Sequence, residues 1–174
     1  MPITFNRFAA IDFETADYGR DSACAVSVVI VEKSKITKKT SVLIRPPRRD
    51  FVFSYLHGIT WPDVAAKPDF GELWPEINSL LKRVEFIAAH NASFDRGVLR
   101  ACCAMAGVSA PDIRYLCTVK LARHLWGLYP TKLPDVSRHL GITLNHHNAQ
   151  SDAMACAKIV LKASKEEIPA SAFL

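Results

Sequence analysis

The chain has 174 residues, 49% of them hydrophobic and 22% charged, with 7 Gly and 10 Pro, a composition that fits one packed domain over 1–174 (core about 7–164) and excludes a disordered chain. No apolar stretch approaches the roughly 20 residues that a bilayer requires, and Met1-Pro2-Ile3-Thr4-Phe5-Asn6-Arg7 lacks the apolar run of a signal peptide, so a cytoplasmic protein without membrane association is expected. The formal net charge of +5 suits a polyanionic partner, a weak indication taken alone.

In chain order, Arg7 to Phe13 reads as a short buried strand and Ala25 to Val31 as a second, rich in β-branched residues. Polar Glu32-Lys33-Ser34-Lys35 leads into Lys38 to Ile44, where Thr40, Val42 and Ile44 alternate as in a half-exposed strand stopped by Pro46-Pro47. A three-stranded antiparallel meander is expected. Phe70 to Lys82 places Leu73, Ile77, Leu80 and Leu81 at helical spacing, and Phe86 to Ala89 is an apolar run of strand length. Asp95 is expected to open a helix reaching Met105 before Gly107. Ile113 to Cys117 reads as a strand, Val119 to Trp126 and Pro134 to Leu140 as short helices, and Ser151 to Lys162 as a final helix. Strands first, then alternating helices and strands, predict an α/β fold with one mixed sheet covered by helices.

Asp12 and Glu14 stand two apart where the first strand ends, so their side chains leave the extended chain on one face. Two anions about 4 Å apart repel by roughly 4 kcal/mol at an effective dielectric near 20, and a divalent cation turns that repulsion into ligation. On spacing alone, the solvent-facing reading of the pair is the favoured one. Asp95 and Asp152 each fall at an expected helix start, where a carboxylate ordinarily serves as a cap. Together, however, carboxylates at a strand end and at helix starts can converge on one sheet edge, as in many α/β sites. Four such groups balance two divalent cations, and hard oxygen ligands fit Mg²⁺ or Mn²⁺ better than zinc. Cys24, Cys102, Cys103, Cys117 and Cys156 are an odd set without CxxC pairing, which argues for reduced thiols rather than a disulfide framework or zinc site. Paired ions point to phosphodiester hydrolysis. In the loop Asn145-His146-His147-Asn148, a histidine has the pKa of a general base near neutral pH, and the residues themselves leave open which of the two acts.

Asp12-Phe13-Glu14-Thr15, Asn91-Ala92-Ser93-Phe94-Asp95 and His147-Asn148-Ala149-Gln150-Ser151-Asp152 resemble, in order and spacing, the three motifs of the DnaQ-like DEDDh 3′-to-5′ exonucleases. The likeness runs from about Phe8 to Ala163, and the family includes the proofreading epsilon subunits of bacterial replicative polymerases. The resemblance implies a ribonuclease H-like fold with a mixed five-stranded sheet whose first three strands are antiparallel. It implies that Asp12, Glu14, Asp95 and Asp152 hold two metal ions and that His147 is the base, leaving His146 a neighbour. It further implies that Thr15, His57 and Phe94 border the terminal nucleotide.

The implied activity is release of nucleoside 5′-monophosphates from the 3′ end of DNA, single-stranded DNA foremost. The alternatives are an RNA-directed exonuclease (oligoribonuclease or RNase T-like) and a non-catalytic nucleic-acid-binding or polymerase-associated module. The last would be expected to have lost a metal carboxylate, whereas all four are present. Lys33, Lys35, Lys38, Lys39, Arg45, Arg48 and Arg49 form a basic face that can meet phosphates or simply be solvated. His90 reads as packed or hydrogen-bonded. The sequence departs from the family in following Thr15 with Ala16-Asp17-Tyr18-Gly19-Arg20-Asp21, where Thr-Gly is frequent. It also lacks the long extension that grips a polymerase, so any association with a polymerase is expected to be loose.

Overall fold

A computed structural model describes residues 5–174; the signal-peptide reading rests partly on residues 1–4, which lie outside the described residues. Five strands, β1 (Arg7–Thr15), β2 (Ala23–Glu32), β3 (Lys35–Leu43), β4 (Ile87–Ala89) and β5 (Tyr115–Cys117), form one sheet in the order β3-β2-β1-β4-β5. The first three are antiparallel, and β4 and β5 run parallel to β1. This is the mixed ribonuclease H-like sheet expected from the sequence. Lys33 and Ser34 take left-handed conformations, φ 47° and 63°, which gives the β2–β3 turn a twist matching that of its strands.

Among the described residues there are seven α-helices, α1 (Ser54–His57), α2 (Trp61–Val64), α3 (Phe70–Leu81), α4 (Ala92–Met105), α5 (Thr118–Trp126), α6 (Leu133–His139) and α7 (Ala149–Ala163), of which α3 to α7 contribute to the two cores on the sheet's faces. Central strand β1 is buried on both faces, and its alternation sorts the core. Ala9, Ile11 and Phe13 join the cluster that holds α3 and α4, while Phe8 and Ala10 join the one that holds α5, α6 and α7. Strand periodicity carries the second face onward to Asp12 and Glu14. Ala153, Ala155 and Ala157 on α7 are fully buried; such short side chains let a helix backbone approach a sheet closely.

Two helix starts differ from expectation. Asp95 does not open its helix, which begins three residues earlier at Ala92 after Asn91 (φ 67°). The last helix begins at Ala149, with the Asn148 side chain accepting from the Ser151 amide, so Asp152 is not its cap. Asparagine tolerates the left-handed conformation and caps well, which extends both helices ahead of their apolar repeats. The strands expected from Phe86 and Ile113 begin at Ile87 and Tyr115. The one-turn helices α1 and α2 were not expected, being too short to show a period. Nor was the return of the chain end to the sheet, where Phe173 bridges Leu116 and the Leu174 amide donates to the Tyr115 carbonyl at 2.8 Å.

Candidate active site

Strand β1 delivers Asp12 and Glu14 to the face covered by α7, whose first turn carries Asp152. Carboxylate oxygens of these three residues lie within 4.8 Å of one another. A register shift between Glu14 and Thr15 bends the sheet there, as bulges beside active sites commonly do. Asp95 comes from α4 and falls outside that grouping. It is 2% exposed, and its Oδ1 accepts from the Phe13 amide at 3.1 Å, tying α4 to β1 between the two motif acids.

Burial foremost, then the charges of Asp95, Glu14 and Asp152, pushes Asp12 well above the usual carboxylate range. Burial and then Asp152 raise Glu14 to about 8. Burial raises Asp95 to about 8 although amide hydrogen bonds oppose it. Asp152 is also raised by burial, against the pull of His146 and the His147 amide. Its Oδ2 accepts from His146 Nδ1 at 3.0 Å and from the His147 amide at 3.1 Å, while Oδ1 is buried without any hydrogen-bond partner. An orphaned carboxylate oxygen beside two more carboxylates fits a divalent cation, which would complete its coordination and lower all four pKa values.

The metal-free protein should therefore lose stability as pH rises. Each acid titrates near 4 when unfolded and higher when folded, so between about pH 4 and 8 the folded state holds more protons and deprotonation favours unfolding. Melting in chelator from pH 5 to 8 should show a falling Tm, by roughly 2–4 °C for each kcal/mol lost, and saturating Mg²⁺ should remove most of the fall. A Tm independent of pH in chelator would contradict a repulsive cluster.

A cavity of about 300 Å³ is lined by Asp12, Glu14 and Asp152 and also by Thr15, His57, Phe94 and His147. Seven of the eight residues singled out from the sequence line this cavity; Asp95 is not in its lining but bonds the amide of Phe13, which is. Phe94 is 36% exposed at the start of α4 and does not pack as a core aromatic. The unexpected α1 carries His57 inward. The Ile59 amide donates to His57 Nδ1 at 3.1 Å, so Nδ1 is the acceptor and Nε2 donates to the Thr15 carbonyl, also 3.1 Å away. That neutral tautomer agrees with a pKa lowered by burial. His147 stands in a left-handed conformation, φ 64°, its ring stacked on His146 with centroids 3.8 Å apart. Burial, then His146, lowers its pKa, against the pull of Asp152.

His146 does more than neighbour the site. Its direct bond to Asp152 carries no sequence signal, because two adjacent histidines in a loop do not reveal which ring turns inward. His90 is hydrogen-bonded, as its setting suggested, with Nδ1 2.9 Å from Thr118 Oγ1 and Nε2 2.9 Å from the Thr131 carbonyl.

The exonuclease family model matches residues 9–160. The chain is 32% identical over 162 residues to the 3′-5′ exonuclease DinG of Bacillus subtilis, covering 90% of this chain and 17% of that protein. It is 33% identical over 160 residues to exodeoxyribonuclease 10 of Escherichia coli, covering 87% of this chain and 66% of that one. Among solved structures, exonuclease X in complex with 5′ overhanging duplex DNA superposes with a TM-score of 0.76 at 26% identity, over 95% of this chain and 96% of that one. The nuclease domain of 3′hExo, a DEDDh family member bound to rAMP, shares the fold at 17% identity, with a TM-score of 0.76 over 95% of this chain and 98% of that one. Motifs, sheet order, acidic centre and these likenesses agree: the chain belongs to the DnaQ-like, DEDDh-type 3′-to-5′ exonuclease family, whose members are metal-dependent nucleic-acid hydrolases.

Proposed function

We propose that this chain is a single catalytic domain that removes nucleoside 5′-monophosphates stepwise from the 3′ end of DNA, single-stranded DNA foremost. The observation that carries this reading is the cluster of half-buried Asp12 and Glu14 with buried Asp152, opening on the same small cavity as Thr15, His57 and Phe94. Asp12, Glu14, Asp95 and Asp152 would hold two ions, Mg²⁺ or Mn²⁺. Such ions activate water, neutralise the phosphate and stabilise the departing 3′-oxygen.

The protein's own residues supply the rest. Thr15, His57 and Phe94 position the terminal nucleoside against the acids, with Phe94 offering its exposed ring to the base. His147, kept neutral near pH 7 by burial, accepts the proton of the attacking water. The bond from phosphorus to the 3′-oxygen breaks, leaving the phosphate on the released nucleotide and a new 3′-hydroxyl on the strand. The preference for DNA is supported by likeness to exodeoxyribonuclease 10 and to exonuclease X, solved with DNA. Relatives named DNA polymerase III PolC-type, such as that of Clostridium perfringens, match this chain over 12% of their length; loose recruitment to a polymerase belongs to the same proposal. A cytoplasmic setting suits the five free, buried cysteines.

Linear single-stranded DNA, duplex DNA, RNA and circular single-stranded DNA, each incubated with Mg²⁺ or Mn²⁺, test this. A 5′-labelled linear DNA strand should give a descending ladder, degrade faster than RNA, and slow sharply when its 3′-hydroxyl carries a bulky block. The circle should survive. Efficient cutting of the circle would refute the exonuclease mode, immediate release of labelled mononucleotide the polarity, and faster loss of RNA the substrate assignment.

A further inference from the structure

A second cavity, about 600 Å³, shares Asp12, His146 and Asp152 with the first and continues along Arg123, Tyr129 and Lys132. Its outer wall is the loop between α5 and α6, fixed from beneath and from the side. The Thr131 carbonyl can only accept, so His90 Nε2 donates to it at 2.9 Å, and Arg123 Nε donates to Thr131 Oγ1 at 2.8 Å. Arg123 also lies over the Tyr129 ring, 5.8 Å from its centroid. Tyr129 is nonetheless 86% exposed, an aromatic side chain held out to solvent on an anchored loop.

Charge follows the same line. Among the described residues, neither Arg123 nor Lys132 pairs with a carboxylate. The only acids lining this cavity are Asp12 and Asp152, which belong to the catalytic centre. Uncompensated cations beside an exposed aromatic ring are the pattern by which proteins follow a single strand, phosphates on the charges and a base on the ring.

We propose that this groove holds the strand upstream of the scissile bond, with Arg123 and Lys132 against its phosphates and Tyr129 stacked on an unpaired base. The inference rests on the exonuclease reading of the adjoining centre. A strand whose terminal nucleoside fills the small cavity must leave past the acids, and this larger groove is continuous with them. Because stacking on Tyr129 requires an unpaired base, the groove favours single strands over blunt duplex.

The test compares kcat/KM for a thymidine octamer with that for the p-nitrophenyl ester of thymidine 5′-monophosphate, which has no upstream nucleotides. Tyr129→Ala should lower the octamer-to-ester ratio about tenfold, within the range of base–aromatic stacking. Binding of a fluorescent octamer in chelator, titrated with salt, should show Lys132→Ala reducing the slope of log K against log salt by about 0.7, one phosphate contact on a single strand. Arg123→Ala should act in the same sense, but it also frees Thr131. The two fully surface-mounted variants, checked for wild-type circular dichroism, therefore carry the test. A ratio and a slope both equal to wild type would overturn the groove. If the wild type hydrolyses neither substrate, the exonuclease reading fails, and the salt slope still decides whether the groove binds a strand.

Discussion

Asp12→Ala is expected to abolish hydrolysis of every substrate while leaving the protein folded. The pKa of Asp12 is raised by burial and then by Asp95, Glu14 and Asp152, and its carboxylate has an oxygen within 4.8 Å of those of Glu14 and Asp152. Removing it takes away a ligand the remaining acids cannot replace, since β1 fixes their spacing. It also removes a repelling charge, so the metal-free variant should melt at or above the wild-type temperature at pH 8. Calorimetric titration with Mn²⁺ should show weakened binding, and a melt in chelator should show the retained fold. Wild-type turnover by the variant would sink the assignment of the centre, whereas an unfolded variant would mean that Asp12 supports the structure. In that case Asp12→Asn, which keeps the shape, separates the two roles.

His147→Ala is expected to lower the single-turnover rate by at least about 10²-fold, the lower end of a general base's usual contribution, with metal affinity nearly unchanged. His146→Ala should be milder. His146 holds Asp152 Oδ2 at 3.0 Å, so its loss should loosen a metal ligand and weaken metal affinity more than the chemical step. Rates across pH separate these effects. Loss of His147 should remove the acidic limb of the profile, where its proton blocks catalysis, and loss of His146 should keep that limb. A larger rate loss at His146 would move the base by one residue.

The meander could be read from sequence because each of its strands announces itself locally: β2 by its β-branched run Ala25 to Val31, β3 by alternation, and the turn between them by polar residues. The end of β1 was equally legible in kind, because a period of two puts Asp12 and Glu14 on one face wherever that strand lies. Helices α3 and α7 were visible through their apolar spacing, although their first turns were not always. A left-handed Asn91 and the capping side chain of Asn148 start α4 and α7 before the apolar repeat begins, which moved Asp95 and Asp152 from the helix start into the first turn. Helices α1 and α2, only four residues each, have no period to detect, and α1 is the element that brings His57 to the Thr15 carbonyl.

The sequence by itself determined the acids, their order along the chain and the family whose motifs they match, because these depend on residue identity and local spacing. Only the tertiary structure decided which groups meet. Asp95 bonds the Phe13 amide 82 residues away, His146 rather than the His147 ring reaches Asp152 Oδ2, and Arg123, Tyr129 and Lys132 line a cavity that also touches Asp12. Such meetings are fixed by β1 lying between β2 and β4 and by the close seat of α7 on the sheet. Those arrangements come from burying two apolar faces at once, a condition on the whole chain that no local window contains.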